Sequence, residues 1–275
     1  MQNKRPPFFS FIILFLIVAG CLVCDFFTVK NPVHPDLGNC NMPPGKEFLF
    51  GTDTMGRDIF SMIWHGGRVS LLIGIAATVV STVIAVIFGT VSGCAPGWGD
   101  HLLMRLLEIL FSIPNLLLVI FLQAVLGKGT VAGISFVIGM TGWMSIAKVV
   151  RTEVRKLQGS GYVVASRCMG GGFFHVLWKH LMPNCVPSVM FMIVMNIRNA
   201  ILTESTLSFM GLGLPVEEIS WGSMLSVADD ALLANSWWMV VFPGAFLLIT
   251  MFCVTDIADY LRKILCANHS GNMVK

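Results

Sequence analysis

The stretch KVVRTEVRKLQGSGYVVASRCMGGGFFHVLWKHLMP, residues 148–183, decides how this chain is read. It carries six bases (Lys148, Arg151, Arg155, Lys156, Arg167 and Lys179) against one acid, Glu153, and strongly apolar sequence stands on both sides of it. A polar, basic segment of this length is more than a connector between apolar runs requires. Its glycine triplet, Gly170 to Gly172, separates two short helix-forming runs, residues 162–169 and 173–181, the second stopping at Pro183. Two short helices joined by glycines make a compact knuckle. Small residues at Ala165, Ser166 and Gly170 let another backbone or ring approach it closely. An amphipathic interfacial hairpin is the plainer reading of the same residues, and a docking element is the sharper one.

The remainder of the chain sets the class. Of 275 residues, 55% are hydrophobic and 12% charged, against roughly 25% charged in soluble domains. Such a composition cannot clothe a water-facing surface, so a polytopic membrane protein is expected, with membrane lipid as its surroundings. No charge run or low-complexity tail points to nucleic acid. Eight cysteines are scattered mostly in or beside apolar runs. Cys21 and Cys24 form a C-x-x-C inside the first run, where cysteine acts as a small hydrophobe. A membrane thiol oxidoreductase would instead need that pair within reach of solvent. The 17 methionines spread along apolar faces and the six histidines do not cluster at ligand spacing, so no metal site or cofactor is expected.

Six apolar spans are counted. The first, residues 8–27, follows Lys4 and Arg5 and is long enough to cross ~30 Å of hydrocarbon. No small-x-small cleavage site follows, so it reads as a retained transmembrane helix with a cytoplasmic N-terminus. Residues 57–65 place apolar side chains at Ile59, Phe60, Ile63 and Trp64, the spacing of a short interfacial helix set off by Gly51 and by Gly66-Gly67. Further spans are expected over 69–93, 103–126 with a kink at Pro114, 131–147, 186–207 and 237–258. Residues 1–68 then form a first helix with an extracytoplasmic segment, 69–262 a five-helix membrane domain with its loop at 148–184, and 263–275 a cytoplasmic tail. Charge sets the orientation. The basic loop and both termini fall on one side, the cytoplasm, whereas residues 211–236 carry Glu217, Glu218, Asp229 and Asp230 and no base.

Five blocks in order carry a family resemblance. Ala165-Ser166-x-x-x-Gly170 followed by His180-Leu181-Met182-Pro183-Asn184 resembles the EAA loop of ABC-importer permeases. GTDTMGRDIFSMIWHGGRVSLLIG (51–74), MRLLEILFSIPNLLL (104–118), ESTLSFMGLGLP with ISWGSML (204–225) and WWMVVFPGAFLLITMFCVTDIADYLR (237–262) are similar to the dipeptide, oligopeptide and nickel branch, in its C-type subunit. The resemblance implies an all-α integral membrane protein with six transmembrane helices and the type I ABC importer permease fold. It implies no catalysis in this chain, which also lacks a G-x-x-x-x-G-K-[ST] phosphate loop. The implied partners are a second homologous permease, two ATP-binding subunits and an extracytoplasmic substrate-binding protein. Short peptides are the implied cargo, with nickel or a metal chelate as the alternative, and an ATPase-independent secondary transporter as a distant one. By the same resemblance, Tyr162, Ala165, Ser166, Gly170, Gly171, His180 and Pro183 dock on the ATPase. The chain departs from the pattern at Gln158-Gly159-Ser160-Gly161, where the family's loop is charged, in its glycine triplet, and in a tail without Asp-Pro-x-Leu-Arg.

Within the spans, Arg198 is the most costly side chain to hold in a membrane. With Asn199 and Glu204 it is a candidate for lining the pathway, although a shifted span would let Arg198 snorkel to an interface. Glu204 stands six positions on, about 240° around a helix, and so is a poor partner for Arg198. Arg105 and Glu108, three apart, are expected to pair locally.

Overall fold

A computed structural model describes residues 6–28, 32–126, 129–215, 217–228, 231 and 235–272. Among them the fold is helical: α1 (Phe8–Phe27), α2 (Ile59–Cys94), α3 (Gly97–Phe111), α4 (Asn115–Leu126), α5 (Val131–Gln158), α6 (Gly161–Cys168), α7 (Phe173–Val176), α8 (Met182–Phe209), α9 (Trp221–Leu225) and α10 (Trp238–Asn272). The one β-type pairing among the described residues is an isolated bridge between Thr52 and Asp58.

Five helices, α1, α2, α5, α8 and α10, are each long and apolar enough to cross a membrane. The pair α3 and α4 makes a sixth span if taken together, but its halves meet at 85°. The kink expected at Pro114 is therefore a full break. Proline has no N–H to donate to the turn before it, and its ring drives the preceding residue, Ile113, out of helical geometry.

The helix starts are written locally. Asp58 caps α2, its carboxylate accepting from Ser61 N at 3.0 Å and Ser61 Oγ at 2.6 Å, and Thr130 caps α5 through Gly133 N at 3.1 Å. Upstream of Asp58, the GTDTMGRD block folds into a tight loop. Asp53 accepts from Met55 N, Arg57 N and Arg57 Nε at 2.7–2.9 Å, and the turn needs positive φ at Gly56. This loop packs on the start of α10, with Trp238 Nε1 donating to Thr52 O at 3.1 Å and Phe50 stacked on Phe242 at 4.2 Å.

Several expectations are corrected here. The short interfacial helix over 57–65 is not a separate element. Helix α2 runs unbroken from Ile59, so the division at residue 68 falls inside it, and Gly66 and Gly67 are helical positions. Their job is close packing: a Cβ on Gly67 would stand 2.6 Å from Cys21 Sγ and from the Trp221 ring. Nor does Pro183 end a helix. The backbone passes from α7 through a π-helical turn, Leu177–Leu181, straight into α8, and the wider turn falls just where Pro183, with no N–H, cannot continue a regular α-helical ladder. Helix α5 carries on past Ala147 to Gln158, and α10 runs to Asn272, through most of the segment expected as a tail.

Helices α2 and α5 form the central pair, with α8 against both and α1 and α10 outside them. The close approach of α2 and α5 depends on glycine. A Cβ on Gly139 would lie 2.6 Å from Val80 Cβ, and one on Gly89 would lie 2.7 Å from Val150 Cβ. Small residues at a helix interface are how membrane helices gain van der Waals contact without a hydrophobic drive. The outer face of α2 shows the other half of the pattern. Leu72, Ile75, Val79, Val83, Ile87 and Val91 form an exposed apolar stripe suited to lipid tails.

Candidate functional site: the knuckle and the helix groove

The knuckle grows from the end of α5. Val150, Val154 and Leu157 of α5 are buried with Val163 of α6, Val176 of α7 and Leu181 of the π turn in one apolar cluster that also takes in Cys185 and Val189 of α8. The two short helices are therefore seated on the membrane body by their inner faces. Between them, Gly170 (φ +85°) terminates α6. Gly170 N donates to Arg167 O at 3.0 Å and Gly171 N to Ser166 O at 2.9 Å, the two bonds of a Schellman cap. The glycine triplet is thus a defined stop.

The outer face is apolar and aromatic. Met169 is 82% exposed, Phe174 72% and Trp178 67%, with Tyr162 and Val164 about half exposed. Beyond the outermost turns of the spans, such a patch is the kind that marks a protein contact. Of the expected docking residues, Tyr162, Ala165, Gly170 and Pro183 are exposed and Gly171 is half-buried. Ser166 is not on that face. It is 6% exposed and lies under Gly171, where a Cβ would stand 2.7 Å from Ser166 O. A small residue at 166 serves the cap rather than the partner. The backbone of His180 lies in the π turn, and its side chain lies outside the described residues.

The base of the knuckle is pinned by charge. Asp100 near the start of α3 is 1% exposed and accepts from Ser92 Oγ at 2.7 Å, Arg151 Nε at 2.6 Å and Arg155 Nη2 at 3.1 Å. Part of the basic segment thus serves α3. The pairing was hidden in the sequence because its partners stand 51 residues apart.

A groove of about 460 Å³ opens between the α3–α4 break, α5 and α8. Its polar lining is uncharged: Ser112, Asn115, Thr141, Ser145, Asn196, Asn199 and Thr203, interleaved with Met144, Met192 and Met195. Of the pathway candidates, Asn199 lines it. Arg198 does not; it turns to α10, with Nη1 3.3 Å from Thr255 Oγ1 and Nη2 3.1 Å from Asn199 Oδ1. Its buried Nε has no protein partner. Glu204 does not line the groove either. It is wholly buried, taken by Ser220 Oγ at 2.7 Å, Ser208 Oγ at 2.8 Å and Ser70 Oγ at 3.3 Å, and so it ties α9 to α2 and α8. It does not pair with Arg198, as its place around the helix foretold. Arg105 and Glu108 do pair, at 3.3 Å.

Cys21 and Cys24 are 1% and 0% exposed, against the reach a thiol oxidoreductase would need. Asp229 and Asp230 of the acidic segment lie outside the described residues.

A six-span candidate bundle, a knuckle on its end and a polar groove between its helices invite comparison with transporters. The model for binding-protein-dependent transport system inner membrane components matches residues 81–265. The chain belongs to that family. This permease is 39% identical over 266 residues to the oligopeptide transport system permease protein OppC of Bacillus subtilis, covering 96% of this chain and 86% of OppC. It is 35% identical over 264 residues to the dipeptide transport system permease protein DppC of the same organism, covering 96% and 82%. Its fold is similar to a chain of the MetNI methionine ABC transporter, solved in inward-facing conformations. That match has a TM-score of 0.57 and 16% identity, and covers 75% of this chain and 95% of that one. The expected all-α permease fold is borne out. The permease is a multi-pass membrane component of an ABC importer. Binding-protein and ATPase partners belong to such a system, and ATP hydrolysis lies on separate subunits.

Proposed function

We propose that this permease forms half of a translocation pathway for short peptides, delivered by an extracytoplasmic binding protein and driven by two ATP-binding subunits. A second homologous permease completes the pathway. The knuckle end faces the cytoplasm with both termini, in line with the charge asymmetry of the loops. The observation that carries the reading is the rigid seating of the knuckle. Its inner face is continuous with the α5–α8 core while Tyr162, Met169, Phe174 and Trp178 stand outward. A push on that outer face is transmitted to α5 and α8, both of which line the groove.

A peptide cargo is supported by the names of the relatives and by the chemistry of the groove. Neutral amide and hydroxyl side chains match a peptide main chain, and methionines adapt to varied side chains.

The test is reconstitution of the whole complex in proteoliposomes with wild-type permease, Gly170→Pro or Ala165→Asp. Both variants should insert and assemble yet lose ATP-driven peptide uptake, with ATP hydrolysis no longer stimulated by loaded binding protein. Uptake at the wild-type rate by both would sink the docking assignment.

A further inference from the structure

At the end of the bundle away from the knuckle, three side chains from α1 and α2 converge: Cys24, Asp25 and His65. One ligand atom from each, Cys24 Sγ, an Asp25 carboxylate oxygen and a His65 ring nitrogen, lies within 4.8 Å of the others. Asp25 Oδ1 is 3.2 Å from His65 Nε2 and 3.9 Å from Cys24 Sγ. The other atoms of the cluster are already committed. His65 Nδ1 lies 2.9 Å from Ser61 O, and Arg68 Nη1 donates to Asp25 Oδ2 at 3.0 Å.

The histidine fixes the chemistry. A backbone carbonyl only accepts, so Nδ1 carries the proton and donates it to Ser61 O. In the neutral ring Nε2 is then a lone pair, aimed at a carboxylate oxygen that is also an acceptor. Two acceptors at 3.2 Å require a positive charge between them, either a second proton on the ring or a cation. A ring N–H donated to a backbone carbonyl while the other nitrogen faces inward is the usual posture of a metal-ligating histidine. Arg68 on the far oxygen of Asp25 supplies the matching support for the carboxylate. The buried sulfur of Cys24 faces the same Asp25 oxygen at 3.9 Å, the long end of a thiol hydrogen bond, and adds a soft donor to the pair.

We propose that Cys24, Asp25 and His65 bind a borderline-soft divalent cation, of the zinc or cobalt class, that fastens α1 to α2. Mixed sulfur, nitrogen and oxygen donors select such an ion over magnesium or calcium, which take oxygen alone. Tetrahedral bonds at zinc distances would set such donors about 3.4–3.6 Å apart, and the two separations from Asp25 Oδ1, 3.2 Å to His65 Nε2 and 3.9 Å to Cys24 Sγ, bracket that value. Sequence spacing could not reveal the site, since its histidine is 40 residues from its carboxylate. The proposal does not rest on the peptide reading.

The test is a cobalt titration of the purified, chelator-stripped full chain. The expected result is a thiolate-to-cobalt charge-transfer band with intense ligand-field bands, saturating at one ion per chain and bleached by zinc. Since loss of even a supporting hydrogen bond weakens metal sites about 10–100-fold, Cys24→Ser and His65→Ala should each weaken binding by at least about 100-fold, and Cys24→Ser should abolish the thiolate band. Cys253→Ser, buried elsewhere, should change nothing. A wild-type chain without a thiolate band overturns the proposal whatever the variants do, and leaves an imidazolium ion pair in its place. A band that survives in Cys24→Ser overturns it equally.

Discussion

Arg151 on α5 reaches across to Asp100 on α3, its Nε 2.6 Å from Oδ1 and its Nη2 on Oδ2, so that a guanidinium fork closes on a carboxylate that is 1% exposed. This pair joins the start of the broken span to the helix that carries the knuckle. Removing one partner of a buried pair leaves the other charge uncompensated, at a cost of roughly 3–5 kcal/mol. Asp100→Ala is expected to cost about 3 kcal/mol, the lower end of that range, because Arg151 keeps some access to water. Arg151→Lys should cost less, since it keeps the charge and loses the fork. Thermal unfolding of the solubilised chain measures both. A melting point unchanged in Asp100→Ala would contradict this role.

Glu204 is held by serine hydroxyls from α2, α8 and the cap of α9. Glu204→Leu would bury those hydroxyls without their acceptor, at about 1–3 kcal/mol for each group that finds no new partner. Helix α9 should then loosen, and a cysteine placed at Ser226 should react faster with a soluble maleimide. Glu204→Gln keeps an acceptor oxygen and should be much milder. Equal labelling rates in Leu and wild type would show that the carboxylate does not hold α9.

Gly170 sits at φ +85° with open space where a Cβ would be. An alanine there meets no clash, only the left-handed penalty of roughly 1–2 kcal/mol. Gly170→Asn should be milder, because asparagine tolerates that conformation. Gly170→Pro loses the N–H bonded to Arg167 O and should be the worst. Uptake in proteoliposomes should fall in the order Gly, Asn, Ala, Pro; any other order would argue against the Schellman cap as the device that sets the knuckle's shape.

Gly139 tests the central helix pair. Its Cβ would lie 2.6 Å from Val80 Cβ and 2.9 Å from Ala77 O, one of them backbone, so α2 and α5 must separate. Gly139→Ala is expected to cost about 1–3 kcal/mol by overpacking, and Gly139→Leu to prevent accumulation in the membrane. Wild-type expression and melting of Gly139→Leu would show that the helices are not held at this distance.

Much of this was legible in the sequence, for identifiable reasons. Apolar length and proline position mark the spans, and the glycine triplet marks the knuckle, because each is a local signal with a local cause. Boundaries were less legible. Residues 57–65 read as a separate helix because glycines at 66 and 67 look like a turn, yet in a membrane bundle Gly66 is where α2 meets Ile219 and Ser220, and Gly67 where it meets Cys21 and Trp221. Pro183 reads as a stop, whereas the π turn before it lets the helical path continue through a residue without an N–H. Least legible were the polar clusters. Asp100 with Arg151, Glu204 with Ser70 and Ser220, and Asp25 with His65 are partners made by the fold across long stretches of sequence. Glu204 invites a pathway reading because an acid in a span is so often functional, and the serines that surround it are visible only in the fold.

The most direct test of the knuckle as the drive point is photo-crosslinking from position 174 in the assembled importer in its native membrane. Phe174 is 72% exposed at the crest of the outer face. A photoreactive residue there should yield an adduct with an ATP-binding subunit, with a yield that changes when ATP is trapped. Adducts with lipid alone, or with the binding protein, would contradict docking at this face and leave the knuckle an interfacial hairpin.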